Sequence, residues 1–221
     1  MRAPAALAAT ALILAACGPK ALALPDDPID RAATCGIVAA AKARAGMNSL
    51  RGDLPFDAEL GVIHYSLLAG AGEKGTGFAR DKASAVAKRM ATLADKVTAG
   101  KWQTLEQPCA QAYPATAPTS PPKLPTTAAQ SQLGCYVLAD FLRTALQSQD
   151  ASYGEQLSQL GELRRALDPK LAGRFAAKGQ TDIAAQKDPR DEALADMTRR
   201  GPPGDLIKLC IAAYPPPKSA L

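Results

Sequence analysis

Few residues in this chain have the type and spacing to do chemistry: one histidine, five cysteines, one glycine-spaced run and some adjacent carboxylates. Histidine is the usual proton carrier and metal ligand near neutral pH. His64 stands alone beside an apolar helical stripe, with no second histidine to complete a metal site, and reads as a structural or surface residue. Gly70-Ala71-Gly72-Glu73-Lys74-Gly75 has the spacing of a dinucleotide-binding turn. Such a turn follows a strand and opens a helix, whereas this run follows a helix and reads as a helix–helix loop. No nucleophile elbow or Ser-His-Asp set accompanies His64, and no C-x-x-C-H haem attachment is present. Asp26-Asp27 and Asp191-Glu192 fall at expected helix starts, where carboxylates offset the helix dipole. The expectation is a protein without catalytic residues, metal or cofactor.

The cysteines carry more. Arg2 is followed by an apolar run from Ala5 to Ala16, and the run ends in Leu14-Ala15-Ala16-Cys17. It has the layout of an export signal and is shorter than the roughly 20 residues that a spanning helix needs. Leu14-Ala15-Ala16-Cys17 resembles the lipobox of bacterial lipoproteins, with all four positions matched, and the resemblance covers residues 1–18 only. It implies cleavage before Cys17, acylation of Cys17, and attachment to a lipid bilayer. Gly18 in place of an Asp after that cysteine implies the outer membrane, with the protein facing the periplasm.

The remaining four, Cys35, Cys109, Cys135 and Cys210, are an even set, which in an oxidising compartment suggests two disulfides. Three pairings are possible, and an internal repeat favours one. Cys35 and Cys109 are 74 positions apart; Cys135 and Cys210 are 75. Gly100-x4-Leu105-x3-Cys109-x2-Ala112-Tyr113-Pro114 matches Gly201-x4-Leu206-x3-Cys210-x2-Ala213-Tyr214-Pro215, and Ala94-Asp95 falls in register with Ala195-Asp196. This ungapped agreement points to a duplication. Pairing within each copy, Cys35 with Cys109 and Cys135 with Cys210, then follows most simply. Pairing across copies, Cys35 with Cys135 and Cys109 with Cys210, stays open.

These cysteines need helices to carry them. The chain is rich in Ala and Leu and poor in aromatics, which favours helix, and no stretch reads as a sustained strand. Asp27-Pro28 predicts a capped helix start, with that helix ending near Gly46. Stripes at helical spacing follow: Phe56, Leu60, Ile63 and Leu67; then Ala83, Val86, Met90, Leu93 and Val97; then Trp102, Leu105 and Cys109. The second copy offers a helix over 128–147, a stripe from Tyr153 to Leu167, a short helix over 169–178, one starting after Asp188-Pro189, and one holding Leu206 and Cys210. The fold class expected is all-α, two tandem bundles of about four helices, each closed by one disulfide. The divisions are a signal peptide over 1–16, a tether over 17–27, repeats over 28–113 and 128–214, a Pro-rich linker over 114–127 read as extended polyproline II, and a Pro-rich tail over 215–221.

Basic residues outnumber acidic ones by 26 to 21 and are mixed with them along the helices, so there is no nucleic-acid footprint. The repeated Tyr113-Pro114 and Tyr214-Pro215 stand next to the disulfide cysteines, as core lids or as a shared binding feature. The expected function is a non-enzymatic, lipid-anchored envelope protein that binds a ligand or an envelope protein, or serves as a scaffold. The alternative is a periplasmic stress chaperone or inhibitor.

Overall fold

The computed structural model describes residues 22–47, 53–72 and 77–215. Cys17, the lipobox and residues 216–221 lie outside them. Among the described residues all regular structure is helical: α1 (Pro28–Ala45), α2 (Phe56–Ala71), α3 (Arg80–Thr98), α4 (Glu106–Ala112), α5 (Ala128–Leu146), α6 (Asp150–Ala177), α7 (Ile183–Arg200) and α8 (Pro203–Ala213). None of these is long and apolar enough to cross a membrane.

Local chemistry explains several boundaries. The Asp27 carboxylate accepts from the backbone N–H groups of Ile29 and Asp30 at 3.0 and 2.8 Å, and Pro28 opens α1. Thr127 caps α5 through the N–H of Gln130, and Asp182 caps α7 through that of Ala185. Three helix readings are corrected. Residues 169–178 are not a separate helix, because α6 runs unbroken through Pro169. Proline there forfeits one backbone hydrogen bond, but the buried stripe of Leu160, Leu163, Leu167, Leu171 and Phe175 continues across it. Likewise α7 starts at Ile183, not after Pro189, because the Asp182 cap lies about two turns upstream. The helix carrying Trp102 opens instead as a 3-10 turn, Trp102–Leu105, before α4.

The disulfides join Cys35 on α1 to Cys109 on α4 and Cys135 on α5 to Cys210 on α8, with Cα atoms 5.4 and 5.6 Å apart. Each bond ties the first helix of a half to its last. In the first half, α1, α2 and α3 pack against one another; in the second, α5 packs on α6, α7 and α8. The halves are not separate bodies, since α2 also packs on α7 and α8. Leu60 and Leu67 of α2 and Phe78 lie in one apolar core with Leu138, Leu142, Leu163, Leu194 and Leu206.

Two connecting segments pack against the helices. The linker is laid along the second half: Pro125 is buried, Leu124 packs on the shared core, and Pro122 crowds Gly201. The far end of the tether is docked as well. Leu22 and Leu24 pack on the core of the first half, and Arg31 donates to the carbonyls of Pro25 and Asp26 at 2.9 and 2.7 Å. Apolar side chains at 22 and 24, together with the missing Cβ of Gly100 beneath Leu22, draw this segment in.

Candidate functional site

Helix α2 has two working faces. Leu60, His64 and Leu67 turn toward the second half and are buried. Val62, Ile63 and Ser66 turn toward a cleft whose other walls come from α3 and α5. Between α3 and α5, over this face of α2, lies a cavity of about 480 Å³. That volume lies in the range of small-molecule sites, roughly 300–1,000 Å³.

The walls are mostly apolar: Ile63 from α2, Ala83, Ala87 and Met90 from α3, Phe141 and Ala145 from α5. Phe141 is held by an edge-on contact with Phe78, ring centroids 5.5 Å apart. Phe78 itself lies flat enough on α2 that a Cβ at Gly70 would fall 2.5 Å from its ring. Gly70 therefore permits a close approach. The described part of the glycine-spaced run is the last turn of α2 and the positive-φ Gly72, with no strand before it; Glu73, Lys74 and Gly75 lie outside the described residues.

Glu59 and Arg80 are the charged residues of the lining, and Ser66, Ser84, Thr144 and Gln149 add neutral polar groups. Glu59 lies at the start of α2, near Gln149. Burial pushes its carboxyl above the usual range, against a hydrogen bond from Gln149 that lowers it, while Asp53 adds to the rise. Arg80, at the start of α3, reaches Asp191 of α7 at 3.6 Å. Asp191 is itself buried and takes a shorter bond from Lys187 at 3.0 Å. An apolar body with a donor or cationic end at Glu59 would complement this arrangement.

His64 is not a surface residue; it is 1 % exposed. Its Nε2 lies 2.9 Å from the carbonyl oxygen of Thr198 on α7. Burial lowers its pKa to about 4, with the Thr198 bond opposing. The ring is thus neutral at pH 7 and donates from Nε2, a structural link between the halves.

The repeated tyrosines take nearly the same backbone conformation, φ −130°, ψ 66° at Tyr113 and φ −133°, ψ 61° at Tyr214. Each donates its N–H to the carbonyl of its neighbouring disulfide cysteine, both at 2.9 Å. Their side chains diverge in use. Tyr113 packs edge-on against Tyr65, whereas the Tyr214 hydroxyl donates to Ser131 Oγ at 2.8 Å. Pro114 opens a short 3-10 turn and Pro215 is exposed. Each tyrosine packs on the core that contains its own disulfide, and none of these four residues lines the cleft.

Glu59, Arg80, Met90 and Phe141 were not picked out as a set by the sequence. The stripes contain Ile63, Ala83 and Met90 as ordinary core positions, and nothing in their spacing says that α3 and α5 leave a gap over α2. No known protein family, curated protein or solved structure matches this chain.

Proposed function

We propose that this chain is a non-enzymatic, lipid-anchored envelope protein that faces the periplasm and binds a small ligand in the cleft between α2, α3 and α5. The cleft carries this reading: about 480 Å³, apolar walls from both halves, and Glu59 with its carboxyl pushed up by burial. The anchor rests on Leu14-Ala15-Ala16-Cys17, and the oxidising compartment on the two cysteine pairs. The matched motifs ending in Tyr113-Pro114 and Tyr214-Pro215 support an origin of the two halves by duplication. Two tests address the two parts. Mass spectrometry of chain purified from membranes is expected to find Cys17 as the acylated first residue. Titration with N-phenyl-1-naphthylamine, an apolar amine that fluoresces when sheltered from water, is expected to give saturable one-to-one binding. Ala87→Trp and Ala145→Trp, both at exposed cleft positions, are expected to abolish it by filling the space. Binding that persists in both variants would remove the cleft from the reading.

His64 favours a second reading, a stress chaperone. Acid charges a buried imidazole that joins the halves, which weakens the contact covering Leu60 and Leu67. Suppression of aggregation of denatured periplasmic proteins near pH 4 but not at pH 7 supports it; equal inactivity at both rejects it.

A further inference from the structure

We propose that the groove between α5 and α6, distinct from the cleft, is a binding site for a phosphate group. Arg143 of α5 and Arg165 of α6 line a space of about 430 Å³. They converge on one point. A Cβ placed on Gly161 would lie 3.8 Å from Arg143 Nε and 3.9 Å from Arg165 Nη1, so these two nitrogens are no more than 7.7 Å apart.

Two guanidinium groups held this close repel each other unless an anion lies between them. The chain supplies little of one. Arg143 has no carboxylate partner among the described residues. Arg165 has Glu162 at 4.0 Å, too long for a hydrogen bond. Other arginines of this half are paired closely, Arg164 with Asp140 at 3.2 Å and Arg200 with Asp196 at 2.8 Å. The floor at Gly161 has no side chain to keep an oxyanion away, and Ser158 and Gln147 line the same groove as further donors.

The geometry selects the anion. A carboxylate offers two oxygens in one plane and is satisfied by a single guanidinium fork. Two forks arriving from different helices suit a tetrahedral group, whose oxygens point in several directions. A phosphomonoester and the phosphodiester of a lipid headgroup share that chemistry.

The test is calorimetric titration of the full chain with glycerol 3-phosphate and with glycerophosphoglycerol, a headgroup without its acyl chains, and with acetate as the planar comparison. Saturable one-to-one binding of at least one phosphate is expected, at least tenfold tighter than acetate. Arg143→Gln and Arg165→Gln are each expected to weaken it at least tenfold, while Lys88→Gln on α3 leaves it unchanged. Both arginines are exposed, so the variants should keep the parent melting temperature. Tighter binding of the monoester assigns the site to a free phosphorylated ligand; tighter binding of the diester assigns it to a lipid headgroup. Absence of saturable binding for both at millimolar concentration, or an equal loss in Lys88→Gln, overturns the proposal.

Discussion

His64 on α2 and Thr198 on α7 are 134 positions apart in the chain and 2.9 Å apart in space, joined by a bond from Nε2 to the Thr198 carbonyl. The Thr198 hydroxyl in turn donates to the Leu194 carbonyl at 2.8 Å. This buried contact stitches the two halves together and makes their union sensitive to acid.

The sign follows from the lowered pKa. Between the ordinary value of 6.5 and the folded value of about 4, the unfolded chain takes up a proton that the folded chain refuses. Stability contributed by neutral His64 is therefore present above pH 6.5 and lost as pH falls toward 4, by about 3 kcal/mol in all. Glu59, with its carboxyl raised, has the opposite slope at acid pH. The measurement is accordingly a comparison: urea midpoints from pH 7 to 4 for the parent and for His64→Gln, which keeps a donor but does not titrate. The parent should lose more stability than the variant over this window. Parallel curves would show that His64 is not the acid-sensitive joint.

Each disulfide closes a long loop, with separations of 74 and 75 residues. In the chain-entropy model such a loop is worth up to about 4.5 kcal/mol. Replacing Cys35 and Cys109 together by alanine should therefore lower stability by about 2–5 kcal/mol, and the Cys135, Cys210 pair likewise. Denaturant unfolding of both double variants checks this, and a non-reducing peptide map checks the pairing.

Glycine substitutions should separate by what stands above them. A Cβ on Gly134 would lie 2.7 Å from Cγ and 2.8 Å from Sδ of Met197, which is fully buried. Gly134→Ala is expected to destabilise by about 1–3 kcal/mol through overpacking. Gly173, within α6, meets nothing within 4 Å, so Gly173→Ala should be neutral or stabilise by up to about 1 kcal/mol. Thermal melts should show a drop for Gly134→Ala and none for Gly173→Ala; a matched drop would refute the packing account.

The second half should not fold well by itself. The first half supplies Leu60 and Leu67 of α2, Phe78, and Ala83 of α3 to the core it shares with α5 to α8, and Tyr153 at the start of α6 donates to the Leu54 carbonyl at 2.6 Å. Residues 117–221 alone are expected to bind apolar dyes and to lose cooperative unfolding. A sharp transition with parent-like stability would show that the shared core is dispensable.

Much of the fold was legible because its signals are local. Asp27-Pro28, the stripe from Ala83 to Val97 and the spacing of the cysteines each depend on neighbours along the chain. Pro169 and Pro189 misled because proline is a local breaker, whereas here a leucine stripe and an upstream aspartate cap outweigh it. The packing of the linker and tether was not legible either: Pro122, Leu124, Leu22 and Leu24 find partners that are distant in sequence. The cleft was not legible at all. It is a space left between α3 and α5, and individual side chains carry no sign of a gap. His64 showed its apolar setting but not its partner, since a backbone carbonyl leaves no mark in the residue types.

The docked segment at Leu22 and Leu24 would set the length of the leash for the proposed anchor at Cys17. Were Cys17 acylated and seated in the bilayer, as proposed, only residues 17–21 would stand between the lipid and the body, and five residues reach at most about 18 Å. The molecule would sit against the membrane and not range through the periplasm, with the end formed by Leu22, Gly100 and Trp102 turned to the headgroups. A ligand would then meet it within a thin layer at the surface.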